Sequence, residues 1–277
     1  MEHRLPYLAN CSILFTEAPL LERPALARAA GFDAVELWWP FPTATPGDAE
    51  VDAVVASVRD AGVHLAGLNL AAGDMPGGDR GLASWPGRER EFADSVDVAV
   101  GIGGALQVEV FNALYGNRIE DGPAAAQDDL ATENLAAAAR AAATIGASVL
   151  LEPVSGAPRY PLRTAADVVT VIERVERAAG VDNLRLLADL YHLSVNGDDL
   201  AAVVAEHGSR VAHVQIADAP GRHEPGTGGL ELDGPLLALE AAGYAGWVGL
   251  EYVPATTTQE GLAWLPRARR GAAARTA

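Results

Sequence analysis

Leu186-Leu187-Ala188-Asp189-Leu190-Tyr191-His192 decides the fold. An apolar run leads to an acid, and a histidine follows three positions later. Strands buried in parallel sheets are near-continuous apolar runs, and chemistry gathers at their C-terminal ends. Asp189 therefore reads as a polar residue at a strand exit, with His192 in the loop beyond. Three more stretches share this form: Ser148-Val149-Leu150-Leu151-Glu152, Val211-Ala212-His213-Val214-Gln215 and Trp247-Val248-Gly249-Leu250-Glu251. Four apolar strands thus end on oxygen-bearing side chains.

Working outward, apolar β-type runs alternate with alanine-rich helical runs along the chain. Strands are predicted near 7–13, 33–38, 63–70, 105–111, 147–152, 184–189, 211–216 and 246–251. Helices are predicted near 23–30, 48–61, 87–101, 124–145, 165–179, 197–207, 233–242 and 258–269. Eight β/α units in 277 residues predict an α/β fold, a (β/α)8 TIM barrel. Gly31, Gly62, Gly146, Gly180 and Gly243 fall where helices should end, and Asp48 and Asp198 or Asp199 where they should begin. No linker or change of composition divides residues 1–277, which read as one domain, with a tail from about 270 expected to fray.

Composition narrows the function. The net charge of −17 argues against a nucleic-acid partner, because phosphate binding needs clustered cations. No apolar run approaches the roughly 20 residues of a membrane helix, and no basic-then-apolar leader opens the chain, so a cytoplasmic protein without a membrane partner is expected. The sequence holds no lysine; all 20 basic residues are arginine. Schiff-base and pyridoxal-phosphate chemistry, which require an amine nucleophile, are excluded. A single cysteine, Cys11, cannot form an intramolecular disulfide and reads as a small packed residue.

At a barrel mouth, Glu152, Asp189, Gln215 and Glu251 would converge. Three carboxylates and an amide oxygen form a hard donor set suited to Mg²⁺ or Mn²⁺. Without a cation the carboxylates would repel one another and some would protonate. His192 is a candidate substrate hydrogen-bond partner. His213 shares the strand face of Gln215, either supporting an acid or satisfied in the core. Arg222 lies in the loop after Gln215 and could fork onto a substrate carboxylate. Arg88, at a helix start, reads as half of an ion pair or as a substrate contact. His64 reads as structural, and His3 and His207 as surface residues. Trp38, Trp39 and Phe41, following Glu36, read as a pocket wall or as core. Glu109, inside an apolar run, must pair, protonate or face the mouth. The glycine-rich loop 71–81 reads as a cover over the site or as a solvated connection.

Further stretches carry a resemblance: residues 9–17 and 30–36, Gly73-Asp74 with Arg80-Gly81-Leu82, and Pro86-Gly87-Arg88-Glu89. The strongest are Asp189-Leu190-Tyr191-His192, His213-Val214-Gln215-Ile216-Ala217 with Arg222-His223-Glu224-Pro225, and residues 243–247 leading to Glu251-Tyr252. From about residue 7 to 265 the chain resembles the hydroxypyruvate isomerase family, within the xylose isomerase-like TIM barrels that include sugar 3-epimerases. The resemblance implies metal ligands at Glu152, Asp189, Gln215 and Glu251, with Glu152 and Glu251 as the acid/base pair. Glutamine at 215, where the epimerases carry histidine, implies the hydroxypyruvate isomerase branch. Two regions depart from the family pattern. Residues 109–118 replace a His-Val-Met-Ala-Gly-like run, and the segment 153–160 is short. Both border the substrate, so the resemblance speaks more to reaction type than to substrate.

The expected activity is a metal-assisted aldose–ketose isomerisation of a small hydroxy-oxo acid. The leading pair is hydroxypyruvate and 2-hydroxy-3-oxopropanoate (tartronate semialdehyde), interconverted through an enediolate. Alternatives are a four-carbon oxo-acid isomerase of 2-oxo-tetronate type, a ketose 3-epimerase, and a ligand-binding barrel without activity. A repair endonuclease is disfavoured by the charge. A homo-oligomer would leave no mark in this sequence.

Overall fold

The computed structural model describes residues 3–271. Eight parallel strands close a barrel in sequence order. They are β1 Tyr7–Asn10, β2 Ala34–Leu37, β3 His64–Asn69, β4 Val110–Asn112, β5 Ser148–Leu151, β6 Leu184–Asp189, β7 Val211–Ile216 and β8 Val248–Leu250. The strand connections carry helices, the longest being Asp48–Ala61, Glu89–Leu106, Ala124–Ala143 and Ala165–Ala179. Ala165–Ala179 shows how the sequence specifies them. Thr164 and Asp167 form a reciprocal cap at its start, and Gly180 closes it in the left-handed conformation. Val168, Val171, Ile172 and Val175 fall at i, i+3, i+4 and i+7 and are buried. Each such side chain contributes roughly 1.5–3 kcal/mol.

The main core fills the space between sheet and helices. Inside the barrel lies a thinner layer, because alternate strand residues face inward. Leu8 and Ala34 belong to one small cluster there, and Val110, Leu150 and Leu187 to another. Two residues further along each of these strands stand Asn10, Glu36, Asn112, Glu152 and Asp189. A period of two therefore places an apolar plug at one level and a polar ring at the next.

Several expectations need correction. The helix predicted over 87–101 runs to Leu106, so residues 105–109 do not begin the fourth strand. Gly103 permits the longer helix: a Cβ there would stand 2.6 Å from the Phe111 ring, so helix and strand pack in close contact. The helix predicted over 258–269 is only Thr258–Gly261, followed by a 3-10 turn at Arg267–Arg269. Pro266, which has no N–H to donate, lies between them. Leu190–Asn196 is a separate short helix ahead of Leu200–His207. His3 is buried rather than exposed and bonds to the Tyr7 hydroxyl at 2.9 Å. Of the tail expected to fray, Arg270 is anchored to the carbonyls of Leu265, Ala30 and Leu262, while residues 272–277 lie outside the described residues. Among the described residues no helix is long and apolar enough to cross a membrane.

Candidate active site

Asp189 shows how the chain builds the site. It is the last residue of β6 and also the N-cap of Leu190–Asn196. Its Oδ1 accepts the amides of Tyr191 at 2.8 Å and His192 at 3.1 Å. This satisfies helix N–H groups that would otherwise be orphaned, and it leaves Oδ2 facing the mouth. Register pairs Asp189 with Gln215 of β7. Glu152 and Glu251 directly follow β5 and β8. All four side chains are buried.

Each acid has a dedicated donor. Asn112 Nδ2 donates to Glu152 Oε2 at 2.8 Å. Glu251 Oε1 accepts from Asn10 Nδ2 at 3.1 Å and Trp38 Nε1 at 2.5 Å, while Arg222 donates to its Oε2 at 2.7 Å. The Arg222 guanidinium lies 3.9 Å from Asp189 Oδ2 and over the Tyr191 ring. A cavity of about 350 Å³ opens above, lined by Glu152, His192, Arg222, Glu251, Trp38 and Arg80 among others.

Burial dominates the electrostatics. It raises the Glu152 carboxyl well above the usual range, and the charges of Glu251 and Asp189 push the same way. Burial also raises Asp189, against the opposing pull of Arg222 and the two amides. Glu251 is pushed up to about 7 by burial, with Arg222 opposing and Asp189 adding. Burial works against the Arg222 charge, but Glu251, Asp189 and Glu152 together outweigh it and raise its pKa. Three carboxylates against one guanidinium leave two negative charges if all ionise. Gln215 supplies a further oxygen, since its Oε1 is buried without a hydrogen-bond partner. A divalent cation would balance that charge and satisfy that oxygen, so the residues fit one.

Asp189, His192 and Glu251 each offer an atom within 4.8 Å of the others. His192 nevertheless reads as a donor rather than a ligand. The Ser155 amide donates to its Nδ1 at 3.1 Å, so the proton of the neutral ring sits on Nε2. Burial, and next the Arg222 charge, push its pKa down to about 3, so the ring stays neutral at working pH.

Raised carboxyls carry a consequence for stability. Folded Glu251 keeps its proton up to about pH 7, whereas an unfolded glutamate releases it near 4.5. Between these values the folded state binds more protons, so stability falls as pH rises. In chelator the protein is expected to lose stability from pH 5 to 7.5, and Mg²⁺ or Mn²⁺ should restore it most at the upper end. Urea titrations with and without the cation measure this; a chelated protein that gains stability over that range would contradict it.

The structure brings Glu152, Asp189, His192, Gln215, Arg222 and Glu251 together. It does not bring Arg88 to the same cavity. Arg88 pairs with Glu91 at 2.7 Å and Asp79 at 2.8 Å and lies over the Trp85 ring. His213 is buried one layer below Gln215, with Nε2 2.6 Å from Glu36 Oε2. Glu109 pairs with His64 at 3.1 Å, exposed at the start of β4. Cys11 is buried, which pushes its thiol up to about 12 and holds it protonated.

Sequence reasoning missed Asn10, Glu36, Arg80 and Asn112 as site residues, while Trp38, read as a pocket wall or as core, lines the cavity. Glu36 is a hub beneath the site, accepting from Asn10 Nδ2 at 3.0 Å and Gln215 Nε2 at 2.9 Å while bonded to His213. Room for its carboxylate comes from Gly249, where a Cβ would stand 2.6 Å from Glu36 Oε1. The available signal was the rule already applied to the later strands: β1, β2 and β4 also set a polar residue two positions beyond an inward apolar one.

Comparisons with known proteins bear on the family of the chain. A family model described as "Xylose isomerase-like TIM barrel" matches residues 24–268. A Streptomyces coelicolor protein named "Putative hydroxypyruvate isomerase" is 52% identical over 268 residues, covering 95% of this chain and 96% of that protein. The 2-oxo-tetronate isomerase of Cupriavidus necator is 36% identical over 94% of this chain and 96% of its own length. A Brucella melitensis crystal structure described as an AP endonuclease, family 2, superposes with a TM-score of 0.84 at 35% identity, covering 94% of this chain and 98% of that one. The chain therefore belongs to the xylose isomerase-like TIM barrels and, within them, to the hydroxypyruvate isomerase family.

Proposed function

We propose that this isomerase interconverts hydroxypyruvate and 2-hydroxy-3-oxopropanoate by moving hydrogen between adjacent carbons through an enediolate. The observation that carries this reading is a pair of buried glutamates, Glu152 and Glu251, at the ends of different strands of one mouth, both raised by burial, Glu251 to about 7. A general base and a general acid work best with a pKa near the operating pH. One glutamate removes a proton from C3 and the other delivers a proton to C2, while the C3 hydroxyl proton passes to the C2 oxygen, so that hydroxyl becomes carbonyl and carbonyl becomes hydroxyl. Asn112 and the Asn10–Trp38 pair hold them in place.

Glu152, Asp189, Gln215 and Glu251 would hold a Mg²⁺ or Mn²⁺ ion. Such an ion, when bound, supplies the positive charge that polarises a carbonyl and stabilises an enediolate. His192 Nε2–H donates to a substrate oxygen, and Trp38 walls the cavity against water. The relatives' names support the substrate class, since one is called a hydroxypyruvate isomerase and another a 2-oxo-tetronate isomerase. A nucleic-acid substrate is disfavoured by the net charge of −17.

Proton NMR in D₂O with hydroxypyruvate tests the reading. Deuterium incorporation and an aldehyde signal are expected with added Mg²⁺ or Mn²⁺, and loss of both on chelation. Exchange that ignores the chelator would remove the cation from the mechanism. Absence of exchange in every condition, with turnover of a four-carbon oxo acid or a free ketose instead, would replace the substrate.

A further inference from the structure

Two guanidinium groups line the cavity, and their charges are differently committed. Arg222 is bonded to Glu251 and lies near Asp189, so its charge is spent on the acids. Arg80 has no such partner. Its Nη1 donates to two backbone carbonyls, Met75 at 3.0 Å and Asp79 at 2.6 Å, and among the described residues no carboxylate pairs with it. Half-buried and facing the same cavity, it is a cation whose counter-ion the protein does not provide.

Its position is also fixed. Gly81 follows it with φ +108°, and a Cβ there would collide with the Leu114 carbonyl. The Gly81 amide donates to the Ala72 carbonyl at 2.9 Å, and the Arg80 carbonyl accepts the Gly116 amide at 3.0 Å. Earlier in the loop, Asp79 accepts the Asp74 amide and pairs with Arg88. The glycine-rich segment 71–81 is thus laced to the neighbouring loop, and it aims a preset guanidinium at the cavity. Ordering an arginine in advance lowers the entropy lost when it binds.

We infer that Arg80 is the substrate-carboxylate receptor of this site and selects hydroxy-oxo acids over neutral sugars. This rests on the isomerase reading above. A cation would balance the two charges left over on the acids, so a substrate carboxylate finds its counter-charge at Arg80. His192 and Arg222, the latter with a buried and unpartnered Nε, are left to donate to the other substrate oxygens.

The test compares wild type, Arg80→Gln, Arg80→Lys and an exposed control, Arg90→Gln, all loaded with Mg²⁺. Arg80→Gln is expected to raise KM for hydroxypyruvate by roughly 10- to 100-fold, as loss of a hydrogen-bonded charge pair does, with kcat changed by less than about threefold. D-glycerate, an unreactive anion, should weaken as an inhibitor in parallel. Arg80→Lys should recover part of the loss, and Mn²⁺ affinity should be unchanged throughout. Unchanged KM and glycerate inhibition in Arg80→Gln would overturn the assignment, as would a fall in kcat alone or a loss of Mn²⁺ binding. If the wild type does not turn over hydroxypyruvate, the proposed reaction fails, and glycerate calorimetry still decides Arg80. Binding that depends on Arg80 upholds the receptor; absent binding, or binding unchanged by the substitution, overturns it.

Discussion

Glu152→Gln is expected to lose turnover by about 10²- to 10⁴-fold, the usual contribution of a positioned acid or base, in a protein that stays folded. The geometry makes this a clean substitution. Glu152 Oε2 accepts one side-chain hydrogen bond, from Asn112 Nδ2, and a glutamine oxygen can accept it as well. Neutralising a buried acid raised by burial and by two neighbouring acids removes repulsion rather than adding it. The cation-free variant should therefore be at least as stable as wild type. Glu251→Gln should lose as much turnover, but less cleanly. Its Oε1 can keep Asn10 and Trp38, whereas an amide nitrogen at the Oε2 position would face the Arg222 donor. Steady-state kinetics beside urea unfolding separate chemistry from folding. Activity within tenfold of wild type in either variant would end the acid/base assignment.

The second large effect falls on stability. Glu36→Leu should cost about 2–5 kcal/mol, since each buried polar group left unsatisfied costs about 1–3 kcal/mol. Three buried groups now meet its carboxylate: Asn10 Nδ2, Gln215 Nε2 and His213 Nε2. Leucine would leave Gln215 Nε2 and His213 Nε2 without that acceptor at buried positions, and Asn10 Nδ2 with Glu251 as its remaining partner. Gln215 would also lose the bond that holds its amide, so cation affinity should fall with stability. The unfolding midpoint in urea and Mn²⁺ titration measure the two losses. A variant with unchanged midpoint would show that the hub is not structural.

Much of this was legible in the sequence because both barrel and site follow simple periods. The (β/α)8 count followed from alternating strand and helix patterns, and the four later strand ends stood out because each is an oxygen-bearing residue after an apolar run. The earlier strands hid their contribution. Asn10 and Asn112 are uncharged and look like turn residues, and Glu36 precedes Leu37-Trp38-Trp39, which draws the eye to packing. Arg80 stood among glycines and acids whose mutual bonds depend on loop geometry, which no period encodes. The overextended last helix has a different origin. Its apolar residues Leu262 and Leu265 are buried as expected, but in turns around Pro266 rather than on a helical face.

The double duty of Asp189 has a consequence for which ion the mouth would prefer. With Oδ1 pinned by two amides, Asp189 has one oxygen to offer and cannot swing to give both. Glu152 has one oxygen taken by Asn112, and Gln215 has a single oxygen in any case. On the proposed metal reading, these residues would offer one oxygen each and would leave much of an ion's shell to water or substrate. Calcium, which gathers six to eight oxygens and often takes carboxylates two-toothed, is poorly served by such a rim. A small ion that keeps several exchangeable positions is served well, and those positions are where a hydroxy-oxo acid would have to enter.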